Sequence, residues 1–344
     1  MMSDTPLEQD ELPSTVGWDG ISQRLEALYP GQEPQHFGTI ISYSLGGNDP
    51  LDGISVYKNL EPLPHWHFVT YGFSELYAKE NDNAQTSGFG FELTFRLACA
   101  ADEAHPPTWA MNFLQNLARY VFGSGNVFRD GDWMPANGPI ARDQPTQICS
   151  MAFISDPQLP ELDTANGSLT FLQVVGLTDD EEQAAKRWRT HKLLDVLLPY
   201  MPLWITDLER ESLLDRGQVR QQIAEGLSRD GSASGYLYTD LLQVSQQERL
   251  LRSTLTRITL AARQADELLA LLPLRLPFGK PFLVAGADWQ LRFVAGEQDQ
   301  LQVEDQLLTL TLTPASLDEL LRTLKPQAGE YRLAGFKGLE WQLQ

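Results

Sequence analysis

Positive charge is scarce in this chain: 26 Lys and Arg stand against 46 Asp and Glu, a formal net charge of −20. Phosphate backbones are bound by clustered Lys and Arg, and here those residues are scattered, so nucleic acid is excluded as a direct partner. The same imbalance speeds association with a basic partner, within a screening length of about 8 Å at physiological salt. Cysteine is equally sparse. Cys99 and Cys149 each lie in or beside an apolar stretch, the setting of reduced core thiols and not of a disulfide framework. Long apolar runs are missing as well: the best candidate, LLDVLLPYMPLWI, is broken by Pro199 and Pro202, short of the roughly 20 residues a bilayer requires. No basic residue precedes Arg24, so no secretory leader is expected. These absences predict a cytoplasmic chain without membrane association.

The common catalytic signatures are missing too. There is no GxSxG elbow, Walker loop, HExxH or paired CxxC, and Gly88-Phe89-Gly90 is too short for a dinucleotide fingerprint. No cofactor is expected. The strongest metal candidate is His65-Trp66-His67, because residues two apart on a strand share a face. A third ligand would have to come from Glu75 or Glu92, and two histidines packed in a polar corner of a sheet explain the pattern without a metal. A metal-dependent hydrolase using this region stays open as the alternative. Asp49, Asp52, Asp130 and Asp132 offer carboxylate pairs for acid–base chemistry, yet each stands where Asp is favoured as a turn residue.

What is present in quantity is β-pattern. HWHFVTYGFSELY, from His65 to Tyr77, is apolar on both faces, as in a strand covered on both sides. In SGFGFELTFRL, from Ser87 to Leu97, Phe89, Phe91, Leu93, Phe95 and Leu97 alternate with Gly90, Glu92, Thr94 and Arg96, which predicts one buried and one solvent face. Together they predict a hairpin at the centre of a sheet. Gly38 to Tyr43, Gln147 to Ile154 and Gly167 to Thr178 are further strand candidates. Helices are predicted at DGISQRLEALYPG, with Asp19 as cap, and at TWAMNFLQNLARYVF, stopped by Gly123 and Gly125. A third, at TDDEEQAAKRW, carries its acids first, as the helix dipole favours.

At 344 residues the chain exceeds what one core usually serves. DGSASG, with its small polar residues, predicts a linker. The expected organisation is a flexible lead over 1–18, an α+β domain over 19–229, a linker over 230–238 and a second α+β domain over 239–344. Each domain is expected to hold a mixed or antiparallel sheet with packed helices. In the second, LLALLPLRL, KPFLVAG, WQLRFVAG and DQLLTLTLT are strand candidates, and PASLDELLRTL is a helix. Pro273 and Pro277 would make LLALLPLRLP an edge strand or an irregular piece.

The strings LGGNDPLDGISVY, HWHFVTYGFSELY, SGFGFELTFRL, PPTW with LARYVF, and SLTFLQVVGLT followed by WITD resemble the Suppressor of fused family, in the family's order, from about Tyr29 to Asp207. The resemblance implies two α+β domains with no known catalytic activity. In animals the family holds Gli-type transcription factors in an inactive cytoplasmic complex, gripping a short peptide between its domains by strand addition. Carried over one at a time, its peptide-contacting positions fall on Tyr120, on Asp132, and, in the second half, on Glu267 and Leu271. The animal proteins carry a long insertion that this compact chain lacks. Bacterial members are thought to be immunity proteins that neutralise secreted polymorphic toxins. The resemblance therefore predicts a monomer with a protein or peptide partner, such as a basic toxin.

Overall fold

The structure, a computed structural model, describes residues 14–41, 43–249 and 252–344. It divides into two compact units. The first holds the described residues up to Ala185 together with Leu193–Val219, and the second Lys186–Lys192 with Arg220–Gln344.

In the first unit, helix α1 (Val16–Leu28) precedes strands β1 (Gln35–Gly38), β2 (Gly53–Asn59), β3 (His65–Tyr71) and β4 (Thr86–Ala98), helix α2 (Thr108–Ser124), and strands β5 (Trp133–Pro135), β6 (Ile148–Ser155), β7 (Leu162–Thr164) and β8 (Gly167–Thr178). The strands form one sheet in the order β1-β2-β3-β4-β8-β6-β5, with β7 added beside β8. Neighbours are antiparallel except β4 and β8, which run parallel. The β3–β4 pair is central, as the sequence predicts, and every residue of β3 is buried.

Two apolar cores lie on opposite faces of this sheet. On one, Trp66, Phe68, Leu93, Phe95 and Leu97 pack against Ala110, Phe113, Leu114, Leu117 and Val121 of α2. Gly125 ends that helix in the left-handed region at φ 74°, its N–H donating to the Val121 carbonyl. On the other face, Val69, Tyr71, Leu169 and Phe171 meet Ile21 and Leu25 of α1. The N–H groups of Gly17 and Trp18 donate to the Leu76 carbonyl, and a Cβ at position 17 would stand 2.2 Å from the Glu75 oxygen, so only glycine permits this docking.

This second core corrects the reading of β4. Its polar face was expected in solvent, but Glu92, Thr94 and Arg96 are all fully buried. Alternation reports that two faces differ in polarity, and a helix with its loops can cover a polar face once the polar groups find partners. Other expectations shift less. β1 lies at Gln35–Gly38, so among the described residues it shares only Gly38 with the strand expected over Gly38 to Tyr43, of which Ser42 lies outside the described residues. Helix α1 begins at Val16, so Asp19 sits in its first turn, accepting from the Thr15 hydroxyl at 2.7 Å. The expected lead lies outside the described residues as far as 13, and residues 16–18 already belong to α1.

Helices α3 (Asp179–Arg187), α4 (Thr190–Leu197) and α5 (Gly217–Asp230) follow. The expected linker is not one. The Gly231 N–H closes α5 on the Leu227 carbonyl, Ser232 is buried with its hydroxyl donating to the Arg187 carbonyl, and β9 (Tyr236–Tyr238) is a strand of the second unit. Small residues serve close approach here: a Cβ at Gly235 would lie 2.7 Å from the Arg275 guanidinium, which donates to the carbonyls of Ser232 and Ala233. A flexible tether and a tightly packed turn share this composition.

The second unit continues with β10 (Leu242–Arg249), β11 (Arg252–Leu260), α6 (Ala262–Leu271), β12 (Phe282–Ala285), β13 (Gln290–Ala295), β14 (Gln300–Glu304), β15 (Leu307–Leu312), α7 (Pro314–Thr323), β16 (Gly329–Arg332) and β17 (Leu339–Leu343). Its sheets, β10-β11-β17-β16 and β14-β15-β13-β12-β9, contribute to one core, in which Phe293 and Trp341 stack at 6.2 Å. The Thr313 hydroxyl accepts from the Ser316 N–H, with Pro314 in the first turn of α7 as predicted. The LLALLPLRL segment is corrected from strand to helix. Ala265, Leu268, Leu271 and Leu272 form a helical stripe, and each proline then sits in a short 3₁₀ turn, Leu272–Leu274 and Leu276–Phe278. A run this rich in leucine satisfies both periods, and burial selects between them.

Phe95 tests the central packing. Fully buried, it meets Phe68 at 6.0 Å, Trp109 at 6.2 Å and Phe113 at 5.6 Å. Phe95→Ala is expected to lower unfolding free energy by about 3–5 kcal/mol, read by urea denaturation.

Candidate functional site

The buried polar face of β4 forms a network that spends most of the chemistry available in the first unit. Arg96 bonds both oxygens of Asp156, Nη1 to Oδ2 at 2.5 Å and Nη2 to Oδ1 at 3.0 Å, and also reaches Gln173 and Gln158. Thr94 donates to Asp156 at 2.6 Å, and the backbone N–H groups of Gln158 and Leu159 donate at 2.8 and 3.1 Å. Burial alone would raise the Asp156 pKa, but the His67 hydrogen bond and the Arg96 charge hold it well below the carboxylate range.

His67 stands beside this pair, with Nε2 3.5 Å from Asp156 and Nδ1 2.7 Å from the Tyr29 hydroxyl. Burial, with Arg96 second, lowers its pKa to about 4, so the ring is neutral and accepts from Tyr29 at Nδ1. Tyr29 is itself pushed up to about 12 by burial. His65 is equally buried, its Nδ1 2.8 Å from the Leu63 carbonyl. Both metal candidates are thus 0% exposed members of a packed layer. Among the described residues no group of three His, Cys, Asp or Glu is arranged to hold a metal ion.

Glu92 is the counterpart of Asp156. It is fully buried and accepts from Thr70 Oγ1 at 2.6 Å, the Gly72 N–H at 3.0 Å, and Ser74 N–H and Oγ at 2.9 and 2.7 Å. Burial outweighs these four bonds and pushes its pKa up to about 7.

Tyr120 and Asp132, the expected contacts in the first unit, occupy its surface. Tyr120, on the last turns of α2, is 42% exposed and stacks on Phe128 at 5.7 Å. Phe128 stacks on buried Phe153 at 4.0 Å, so a column of three rings fixes Tyr120 from beneath. The Tyr120 hydroxyl accepts from Asn126 at 3.2 Å. Asp132 is exposed just before β5, and its carboxylate accepts from the Arg129 N–H at 2.8 Å. Asp130 accepts from the Ser155 N–H at 2.8 Å, so both aspartates play the turn role that the sequence allows.

In the second unit, Glu267 lies partly exposed on α6. Leu271 on the same helix is 1% exposed and packs within the core of the unit. Sequence reading missed Arg96, Asp156 and Gln173. The available signal was a charged residue on β4 opposite a histidine on β3, since Arg96 and His67 are cross-strand partners.

The class defined by this arrangement is a two-unit α+β protein whose strongest polar groups are consumed inside the fold. Residues 47–211 match the family described as Suppressor of fused protein (SUFU). The Suppressor of fused homologs of Homo sapiens and Mus musculus are each 37% identical over 233 residues, 63% of this chain and 48% of theirs. The match thus spans about half the length of those relatives. The crystal structure of Drosophila Suppressor of Fused shares the fold, with a TM-score of 0.79 at 23% identity over 96% of this chain and 97% of that one. A chain of the Sufu–Fu complex crystal structure is 31% identical, with a TM-score of 0.58, over 62% of this chain and 98% of its own. This chain belongs to the Suppressor of fused family.

Glu92 makes the network testable by pH. Its folded pKa of about 7 exceeds the ordinary value of 4.5, so the protonated form stabilises the fold. That contribution is complete below pH 4.5 and lost as pH rises through about 7. Glu92→Gln keeps the acceptor and mimics the protonated acid. The variant's unfolding free energy relative to wild type is expected to rise by roughly 2–3 kcal/mol between pH 5 and pH 8, read by urea denaturation.

Proposed function

We propose that this chain is a non-enzymatic protein-binding module that takes an extended segment of a partner by strand addition. One observation carries the reading: the five-stranded sheet of the second unit ends in β9, a short edge strand whose Tyr236 and Tyr238 are exposed while Leu237 is buried. An edge strand offers main-chain hydrogen bonds, and alternate side chains supply selectivity. In the first unit, Tyr120 and Asp132 supply an aromatic face and a carboxylate; in the second, Glu267 on α6 supplies an acid. The Sufu–Fu complex among similar structures supports a protein partner.

The partner we propose is basic, in keeping with the net charge of −20, which favours fast capture of an oppositely charged protein. Within that class we propose a secreted toxin that this chain neutralises as an immunity protein in the cytoplasm, acting as a monomer. The hydrolase alternative has little to recommend it, because His65 and His67 are sealed from solvent with their Nδ1 atoms engaged.

Affinity capture from the native cell is the test. Tyr120→Ala and Asp132→Arg, both surface changes, are expected to fold normally and to weaken partner capture at least about tenfold, the loss of one well-placed contact of about 1.4 kcal/mol. Folded variants that retain every partner would overturn the proposed site.

A further inference from the structure

A second feature of the first unit is not used by the surface around Tyr120. A cleft of about 530 Å³ opens where the segment after β3 meets the C-terminal end of α2, within the size range of ligand sites. Its wall is aromatic. Phe122 is the hub, with Phe89 at 4.9 Å, Tyr43 at 5.4 Å and Phe73 at 6.1 Å, and Tyr77 completes the lining. Tyr43 and Tyr77 are both more than two-fifths exposed.

The charge of this cleft is unbalanced. Asp52, Glu75 and Glu80 line it, and no Lys or Arg does. Glu75 is matched by Lys79 at 2.7 Å, and Lys79 is further held by the carbonyls of Thr86 and Asn166. Arg119, on the preceding part of α2, is engaged by Asp49 and Asn116. Asp52 is half-buried, and among the described residues no cation pairs with it. Desolvation raises its pKa, the mark of a carboxylate placed in apolar surroundings without a countercharge. In the sequence around Tyr43, Ile40 is fully exposed and Ile41 and Leu45 largely so.

We infer that this cleft is a second protein-contact site that accepts an arginine side chain of a partner. A guanidinium lies flat on aromatic faces while its N–H groups reach a carboxylate, so Phe122, Tyr43 and Tyr77 supply the stacking surface and Asp52 the acceptor. An apolar side chain would leave Asp52 uncompensated, and an acidic one would be repelled. Glu92 sets the floor from within, because its bonds to Gly72 and Ser74 fix two residues that line the cleft. The inference rests on the protein-binding reading for the nature of the occupant alone.

The experiment is an NMR titration of the full chain, following backbone amide signals, with N-acetyl-arginine amide as the probe and N-acetyl-citrulline amide as its neutral isostere. The arginine derivative is expected to shift the signals of Gly72, Ser74, Gly88 and Phe89, and the citrulline derivative to leave them in place. Asp52→Asn is expected to weaken binding about tenfold, as loss of one charge-assisted contact would, and Phe122→Leu to weaken it while keeping the wall apolar. Tyr120→Ala is expected to titrate as wild type. Unmoved signals, equal shifts with citrulline, or wild-type behaviour of Asp52→Asn would each overturn the inference. The titration does not involve Tyr120, Asp132 or β9, so it can succeed where the strand-addition reading fails, and the reverse.

Discussion

The ion pair between Arg96 and Asp156 is the constraint on which the first unit depends. Both side chains are fully withdrawn from water. Desolvating each charge costs several kcal/mol, which only a closed set of hydrogen bonds offsets. Asp156 accepts from four residues, Thr94, Arg96, Gln158 and Leu159, with His67 Nε2 3.5 Å away, and Arg96 donates through its Nη atoms to Asp156, Gln173 and Gln158. Gln173 in turn donates to the carbonyls of Leu203 and Trp204. A single cation on β4 therefore fixes the end of β6, a residue of β8 and the segment beyond α4, while α1 approaches through Tyr29 and His67. This layer lets a charged strand lie between two apolar cores.

Environment, not residue type, sorts the carboxylates. Asp156 faces the Arg96 guanidinium and is held ionised, whereas Glu92, on the same face of β4 as Arg96, faces only neutral donors and is pushed towards its acid form. Asp130 and Asp132 sit in a loop and accept backbone N–H groups that would otherwise lack partners. Asp52 lines an aromatic wall. Four structural settings thus use the same acid group, and only the last two leave it within reach of another molecule.

Function accordingly moves to edges and clefts. The buried carboxylates Glu92 and Asp156 are engaged within the fold, which leaves short strands at the ends of sheets, exposed aromatic rings supported from below, and acids at the surface. Tyr120 shows the pattern: its ring is exposed because Phe128 and Phe153 fill the space beneath it. The excess of acid over base, a net charge of −20, favours association with oppositely charged molecules.

Sequence alone determined the central strands, the two main helices of the first unit, three of the nine described strands of the second and the family, because alternation, helical spacing and turn residues are local signals. The tertiary structure decided the rest. Whether the polar face of β4 meets water depends on α1, some sixty residues away, and whether DGSASG is a tether or a packed turn depends on Arg275 and Phe278. Leu271 is a core residue because its helix turns that face towards two sheets, and Asp52 has no paired cation among the described residues, Lys79 and Arg119 being engaged by Glu75 and Asp49. Each of these depends on which distant groups arrive, and no local pattern encodes that.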